Sequence, residues 1–218
     1  MNQENKQEKQ RIGIMGGTFN PVHMGHLLLA EWAYEQVGLD KIWMMPNAVP
    51  PHKEGQQILS KEHRIAMLQL AIEGNPHFQL SLFEKEERAH YSYETMEALQ
   101  EAYPDYEFYY LMGADSLFDI EKWVEFQRFL ASCHILAAGR MDEKNRELSD
   151  WAETLKEKYQ AEITLLNSPV VDISSSEIRS RKAEGKSIRY LVPESVFSYI
   201  ETHGLYKKDW KYSTEWSF

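Results

Sequence analysis

Apolar residues along the chain follow two alternating patterns, short continuous runs and longer stretches with helical spacing. Apolar runs at 11–15 and 41–45 predict buried strands, and the apolar residues from 26 to 38 have the spacing of one helix face. Gly38 and Pro46 end the helix and the second strand, because glycine and proline interrupt regular structure. The chain therefore begins with a strand, a helix and a second strand.

The same alternation continues towards the end of the chain. A proline-containing loop is predicted at 47–57, followed by a helix that Ser60 can cap and that runs to Gly74. Further helices are predicted at 93–103 and 142–159, and further strands at 78–83, 107–112, 133–138 and 162–166. Such a series predicts an α/β fold with a Rossmann-like, doubly wound, mostly parallel sheet, in which ligands bind beyond the carboxyl ends of the strands.

The length of 218 residues suits one domain with a full core. We predict a single domain over 11–206, which closes with C-terminal helices; the last of them starts at Pro193 and ends at Gly204. A polar tail at 1–10 precedes this domain, and a tail at 207–218 without a clear period follows it.

Charge and composition exclude several classes of protein. A net charge of -10 argues against a general nucleic-acid binder, which needs a broad basic surface. The first ten residues are polar, and no apolar run has the length of a membrane span, so we expect a cytoplasmic protein without a membrane partner. The single cysteine, Cys133, cannot form an intramolecular disulfide. The oligomeric state, a homo-oligomer included, stays open.

The loop after the first strand has residues suited to phosphate. Gly16 and Gly17 allow the backbone to approach a phosphate closely, and His23 and His26 lie near the positive end of the following helix. An imidazole there can donate to a phosphate oxygen and stabilise the charge of phosphoryl transfer. The alternative is an ordinary turn with two incidental histidines. The loop matches neither the dinucleotide-binding glycine fingerprint nor the P-loop.

A second segment, near residue 175, has the pattern of a helix start. Ser174 and Glu177 form a capping box, which on its own is more often structural. Hydroxyls of Ser175 and Ser176, exposed amides and Arg179 on the same helix face could bind phosphate oxygens.

Residues 16–26 closely resemble the Gly-Gly-Thr-Phe-(Asp/Asn)-Pro-x-His-x-Gly-His signature of the nucleotidyltransferase superfamily. Residues 173–179 resemble the Ile-Ser-Ser-(Thr/Ser)-x-Ile-Arg signature of the same superfamily. The resemblance implies a single nucleotidyltransferase domain that binds ATP. The implied ATP-binding residues are Gly16, Gly17, Thr18, Phe19, His23, His26, Gly113, Asp115, Arg140, Ser174, Ser175, Ser176 and Arg179.

Other segments resemble the bacterial nicotinate-mononucleotide adenylyltransferases. They are Pro50-Pro51-His52-Lys53, the helix at 60–71, Gly113-Ala114-Asp115 and Lys122-Trp123. The resemblance implies that Lys53 meets phosphate charge, that Asp115 orients a ribose hydroxyl or a substrate, and that Trp123 stacks on the pyridine ring. The alternatives are a solvated lysine, a helix-capping aspartate and a core tryptophan.

Two segments depart from the family pattern. Ser92 stands where the family has a threonine that helps to recognise the nicotinate carboxylate, and His90 is a further substitution in the same stretch. Arg140 is retained in a turn near the adenine, whereas the neighbouring proline and glycine of the family are missing. Because Ser92 keeps the hydroxyl of the threonine, the resemblance still implies an enzyme that prefers the acid mononucleotide. Lys53, Ser92 and Trp123 would bind this acceptor.

The resemblance implies a nicotinate-nucleotide adenylyltransferase of NAD biosynthesis, with ATP and nicotinate mononucleotide as its small-molecule partners. The catalytic residues would be His23, His26, Lys53 and Arg179, and Mg²⁺ would accompany ATP without a protein cage. Two alternatives remain. One is an adenylyltransferase for nicotinamide mononucleotide or phosphopantetheine, and the other is a non-catalytic nucleotide-binding regulator, which would be expected to lose a histidine or Arg179.

Overall fold

The computed structural model of the chain describes residues 9–47, 58–84, 91–139, 144–169 and 171–208. The strands are β1 Gln10–Gly17, β2 Lys41–Pro46, β3 Phe78–Leu80, β4 Tyr106–Gly113, β5 His134–Gly139 and β6 Ile163–Asn167. The helices are α1 Met24–Val37, α2 Lys61–Ile72, α3 Ser92–Ala102, α4 Ala114–Phe118, α5 Phe126–Ser132, α6 Lys144–Tyr159, α7 Ser175–Ala183 and α8 Glu194–Thr202. Strands and helices alternate, as the apolar pattern predicts.

The six strands form one parallel sheet in the order β3-β2-β1-β4-β5-β6. Gln10 of β1 lies opposite Tyr106 of β4, and Tyr109 of β4 lies opposite His134 of β5. This is the strand order of the doubly wound nucleotide-binding folds, in which the order reverses between β1 and β4. The predicted fold class is confirmed. No helix in the described ranges has the length and apolar content that a membrane span requires.

The chain divides into two compact units. Among the described residues, the first unit contains 9–15, 29–43, 91–139 and 144–169, and the second contains 16–28, 44–47, 58–84 and 171–208. The predicted domain boundaries at 11 and 206 stay a prediction.

Aromatic and aliphatic packing builds the core of the first unit. Trp43 is buried and lies edge-on to Tyr103 and Tyr106, with ring centroids 5.2 and 5.9 Å apart. Gly13 leaves room for this packing where β1 meets β2, because a Cβ placed on it would lie 2.5 Å from Cδ1 of Ile42. Burial of these apolar side chains is the main stabilising term of this unit.

In the second unit, helix α2 packs on helix α8. Helix α8 begins after Pro193 and ends with a glycine cap, as predicted. Gly204 has φ +61°, and the amide of Leu205 donates to the carbonyl of Ile200 at 3.0 Å. This pattern is a Schellman motif, which satisfies the last carbonyls of the helix and turns the chain sharply.

Three details differ from the sequence expectation. Strand β1 continues through Gly16 and Gly17 instead of stopping at Met15, because the carbonyl of Gly17 accepts a hydrogen bond from Asn47 N at 2.9 Å. Strand β3 covers only Phe78–Leu80 rather than 78–83. The sequence pattern also gave no element between β4 and β5, where α4, a 3₁₀ turn at Ile120–Lys122 and α5 lie.

Candidate active site

The loop between β1 and α1, residues 18–23, is fixed by buried contacts in the second unit. Phe19 is 1% exposed and has φ +48°, a left-handed conformation that is uncommon for a residue with a side chain. A Cβ placed on Gly17 would lie 3.2 Å from the Phe19 ring, so glycine leaves room for this ring. The Phe19 ring also lies edge-on to His26, with centroids 5.0 Å apart.

Asn20 connects this β1–α1 loop to three other segments. Its side-chain oxygen Oδ1 accepts hydrogen bonds from Leu59 N at 3.3 Å and from the Tyr206 hydroxyl at 2.9 Å. Its main-chain carbonyl accepts one from Nη1 of Arg179 at 2.9 Å. Asn20 is only 3% exposed, and the two bonds to its side chain form away from water.

Arg64 of α2 lies beneath the same loop and is 1% exposed. Its Nη1 donates to the carbonyls of Thr18 and Asn47, both at 2.9 Å, and its Nε donates to the carbonyl of Leu59 at 3.2 Å. Burial lowers the pKa of this guanidinium, but an arginine stays charged at neutral pH. One buried cation therefore links the β1–α1 loop to the end of β2 and the start of α2.

His23 and His26 lie against each other at the start of α1. Their ring centroids are 3.7 Å apart with 32° between the ring planes, and the main-chain amide of His23 donates to Nδ1 of His26 at 3.2 Å. Nδ1 of His23 is buried without a hydrogen-bond partner among the described residues. Gly25 packs beside it, because a Cβ placed there would lie 3.1 Å from that atom.

Both imidazoles are neutral at physiological pH. Burial lowers the pKa of His23 from 6.5 to about 4. Burial lowers the pKa of His26 well below 6.5, and the repulsion between two protonated rings acts in the same direction. Since Nδ1 of His26 accepts a hydrogen bond, the proton of the neutral ring is on Nε2. The same tautomer is favoured for His23, since an orphaned buried N–H donor is rarer than an orphaned acceptor.

The start of helix α7 lies against the β1–α1 loop, again within the second unit. Ser174 is the N-cap, and its hydroxyl oxygen accepts from the amide of Glu177 at 3.1 Å, so this half of the predicted capping box is present. The Ser175 hydroxyl donates to the carbonyl of Pro21 at 2.8 Å. Arg179 donates from Nη2 to Ser176 Oγ at 3.2 Å, as expected for residues on one helix face. The two signature segments therefore meet.

The predicted residues of the first unit lie at the end of β4 and at the start of α3. Gly113 is the N-cap of α4 and Asp115 is exposed on the same short helix, so the aspartate does not occupy the cap position. Ser92 is the first residue of α3 and is half-buried. Trp123 is also half-buried and packs on Phe129, with ring centroids 5.2 Å apart. Core packing thus covers part of the Trp123 ring.

Two predicted residues, Lys53 and Arg140, lie outside the described residues, as does the segment around His90. Sequence reasoning assigned no role to Asn20, Arg64 or Tyr206. Asn20 was in the first signature and Arg64 was in a matching helix, whereas Tyr206 gave no signal. Within the described ranges, no three histidine, cysteine, aspartate or glutamate side chains lie so that they could hold a metal ion.

Comparison with known proteins gives consistent relatives. The family described as Cytidylyltransferase-like matches residues 14–181. A probable nicotinate-nucleotide adenylyltransferase of Lachnoclostridium phytofermentans is 45% identical over 198 residues, which cover 90% of this chain and 99% of that protein. A probable nicotinate-nucleotide adenylyltransferase of Desulfitobacterium hafniense is 41% identical over 202 residues, 91% of this chain and 96% of that protein.

A solved structure has the same fold. The nicotinic acid mononucleotide adenylyltransferase of Plasmodium falciparum complexed with NaAD aligns with a TM-score of 0.74 and 21% identity, over 90% of this chain and 97% of that one. At this identity the likeness concerns the fold alone.

Proposed function

The chain belongs to the nicotinate-nucleotide adenylyltransferase family, and from this premise we propose that it transfers the adenylyl group of ATP to nicotinate mononucleotide. The products are deamido-NAD and pyrophosphate, which makes the reaction a step of NAD biosynthesis in the cytoplasm. The observation that carries the proposal is the neutral histidine pair, His23 and His26, on a loop bound to the start of α7.

The pair suits stabilisation of a phosphoryl group. Each neutral ring has its proton on Nε2, and a neutral imidazole can donate a hydrogen bond from that nitrogen to a phosphate oxygen. Donors fixed before the reaction stabilise the negative charge that develops in the transition state without a cost of reorganisation. His23 and His26 are therefore assigned to the α-phosphate of ATP.

Helix α7 supplies the second part of the phosphate site. Its first amides form the positive end of the helix dipole, which favours an anion. Arg179 lies one turn inside the helix with two of its nitrogens already held, by Asn20 O and Ser176 Oγ, so its charge is fixed in place. This placement supports a role for Arg179 in holding phosphate charge, with Gly16 and Gly17 giving the close backbone approach.

The reaction needs no covalent enzyme intermediate. A phosphate oxygen of the mononucleotide attacks the α-phosphorus of ATP in line, the new P–O bond forms, and the bond to the β-phosphate oxygen breaks with release of pyrophosphate. Positioning and electrostatics supply most of the acceleration. Lys53 is assigned to phosphate charge from the sequence resemblance alone.

Mg²⁺ is assigned to ATP rather than to a protein cage. The ion keeps several waters and is commonly held by substrate phosphates with few carboxylates. When bound, it would neutralise charge on the phosphates. Residues of this chain would hold the remaining charge.

The acceptor assignment rests on the first unit. Ser92 opens α3 and can offer its hydroxyl and its amide to a carboxylate. Trp123 is only partly covered by Phe129, so its ring still offers a surface for stacking. These two residues are proposed to favour the nicotinate over the nicotinamide mononucleotide, and Asp115 is proposed to orient a ribose hydroxyl.

The test measures pyrophosphate release from ATP and Mg²⁺ with nicotinate mononucleotide, nicotinamide mononucleotide and phosphopantetheine in parallel. We expect the fastest turnover with nicotinate mononucleotide. Faster turnover with the amide would overturn the acid preference. A chain that releases no pyrophosphate with any of the three acceptors is not an adenylyltransferase for them. It would then be assigned as a non-catalytic nucleotide-binding regulator.

A further inference from the structure

We propose that Tyr206 is a positioning residue for the reaction: its hydroxyl, through Asn20, fixes the β1–α1 loop that carries His23. The inference rests on the proposed function, because it concerns the same phosphate site. Tyr206 lies in the turn after α8, 186 residues away from Asn20 in sequence, and its hydroxyl donates to Asn20 Oδ1 at 2.9 Å.

The bond lies in a dry part of the second unit. Tyr206 is 6% exposed and Asn20 is 3% exposed, so no bulk water is available to replace the bond if it breaks. Burial also raises the pKa of Tyr206 well above 10, so that the phenol keeps its proton at neutral pH. The hydroxyl is therefore a permanent donor.

The backbone is strained at Tyr206 and at the residue that precedes Asn20. Tyr206 has φ +62°, and Phe19, immediately before Asn20, has φ +48°. Left-handed backbone is unfavourable for L-residues with side chains, and it persists where surrounding contacts determine it. The Schellman turn at Gly204 ends α8 two residues before Tyr206, whose side chain then reaches Asn20.

Asn20 transmits this constraint to the histidines. Its Oδ1 is fixed by Tyr206 and by the amide of Leu59, and its carbonyl is fixed by Arg179. Three residues further on, the main-chain amide of His23 holds Nδ1 of His26 at 3.2 Å. A shift of Asn20 therefore displaces both rings relative to the phosphate. Small misplacement of this kind is sufficient to slow a reaction that depends on positioning.

The experiment compares Tyr206→Phe with a matched control, Tyr199→Phe. Both changes remove one hydroxyl from the C-terminal part of the second unit. The Tyr199 hydroxyl, however, shares its hydrogen bond with Nδ1 of His63, at 2.9 Å, and not with the β1–α1 loop. We expect Tyr206→Phe to lower kcat roughly tenfold or more, with the KM for nicotinate mononucleotide changed less than about twofold. Tyr199→Phe should leave both constants within about twofold of wild type.

Asn20 variants test whether the effect passes through this bond. Asn20→Asp keeps an acceptor at the same place and should retain most of the turnover. Asn20→Ala should lose at least as much as Tyr206→Phe, because it also removes the acceptor of the Leu59 amide. Combining Tyr206→Phe with Asn20→Ala should cost little beyond Asn20→Ala alone, because the acceptor of the Tyr206 hydroxyl is already absent in Asn20→Ala. A loss in the double variant equal to the product of the two single losses would overturn the proposal.

The result can be told apart from failure of the proposed function. If wild type turns over and Tyr206→Phe matches Tyr199→Phe in kcat, the positioning role is wrong and the enzyme assignment stands. If wild type shows no turnover, calorimetric titration with inorganic pyrophosphate decides. Roughly tenfold weaker binding by Tyr206→Phe than by Tyr199→Phe would support the positioning of the loop, and equal binding would refute it.

Discussion

The ring of His23 lies over the ring of His26, with centroids 3.7 Å apart, and this contact holds two imidazoles where two imidazolium ions would repel each other. The His23 amide also occupies Nδ1 of His26 as a donor, so that this ring can be protonated there only if the hydrogen bond breaks. Both rings of the pair therefore stay neutral at neutral pH when no anion is bound.

Stability should depend on pH through this pair. Burial lowers the folded-state pKa of His23 to about 4, below the 6.5 of the exposed ring. The unfolded chain then binds more protons than the folded chain between these values, so stability is fully present above pH 6.5 and falls as the pH falls towards 4. From pH 7.5 to pH 5 we expect His23 to account for a loss of about 2 kcal/mol in the free energy of unfolding, measured with urea.

His26 adds to this loss in the same direction, because its folded-state pKa is also lowered. The control is His23→Gln, which cannot titrate and should show a correspondingly smaller loss over the same pH interval. A pH dependence identical to that of wild type would show that His23 is not buried in its neutral form.

Anion binding should raise the pKa of both histidines. A phosphate placed beside the rings favours their charged form, and it opposes the desolvation that lowers the pKa of His23. Two-dimensional NMR of the imidazole resonances, recorded as a function of pH with and without inorganic pyrophosphate, should show both titrations displaced upwards in its presence. Titration curves that coincide would remove the pair from the phosphate site.

His23→Ala tests the catalytic assignment directly. The variant removes a donor from the place where charge develops, and loss of one such donor lowers kcat by at least about a hundredfold. Pyrophosphate release under saturating ATP and nicotinate mononucleotide measures the effect. A near-normal kcat would take His23 out of its assigned role.

Gly25→Ala should separate activity from stability. Its new Cβ would lie 3.1 Å from Nδ1 and 3.2 Å from Cε1 of His23, so the ring must move. Alanine is also the better helix former at this position in α1, so the melting temperature should not fall. We expect kcat to drop roughly tenfold.

The control for this change is Gly13→Ala in β1. Its Cβ would lie 2.5 Å from Ile42 Cδ1 and 2.9 Å from Leu39 Cδ1, which are core atoms of the first unit. This variant should lose stability by about 1–3 kcal/mol and keep its kcat at temperatures where it is folded. If Gly25→Ala retains wild-type kcat, close packing at Gly25 does not position His23.

Local pattern was sufficient to predict the long elements of the fold. Strands such as β4 and helices such as α1 lie within two residues of their predicted bounds, since each buries a repeating apolar face. Helices α4 and α5 were missed, because five and seven residues are too few to show a helical period. Glu125, with φ +52°, separates two of the missed pieces without a glycine to mark the turn.

The candidate site was predictable only in its signature residues. His23, His26, Ser175 and Arg179 stand in contiguous motifs, and the structure brings them into one unit. The residues that hold these motifs in place were not predictable. Contacts of Asn20 reach residues 39, 159 and 186 positions away, and no local pattern contains such separations.

Arg64 is the clearest example of a residue that holds the motifs in place without belonging to them. Its replacement tests how much it contributes to stability. Arg64→Met keeps much of the volume of a side chain that is 1% exposed but removes every donor. The carbonyl of Leu59, which is buried, and those of Thr18 and Asn47, which are half-buried, would then each lose a bond. Unsatisfied buried acceptors are costly, so we expect a loss of about 3 kcal/mol in the free energy of unfolding.

Arg128→Met is the matched control for Arg64→Met. Arg128 makes two hydrogen bonds to the carboxylate of Glu97, and its guanidinium lies 4.4 Å from the centre of the Tyr93 ring, but these contacts are at the surface. Exposed ion pairs contribute little, because water and salt screen the charges and both side chains lose entropy. Urea unfolding should therefore show a large loss for Arg64→Met and a small one for Arg128→Met. Equal losses would mean that the three carbonyls find other donors, and that Arg64 does not hold the β1–α1 loop.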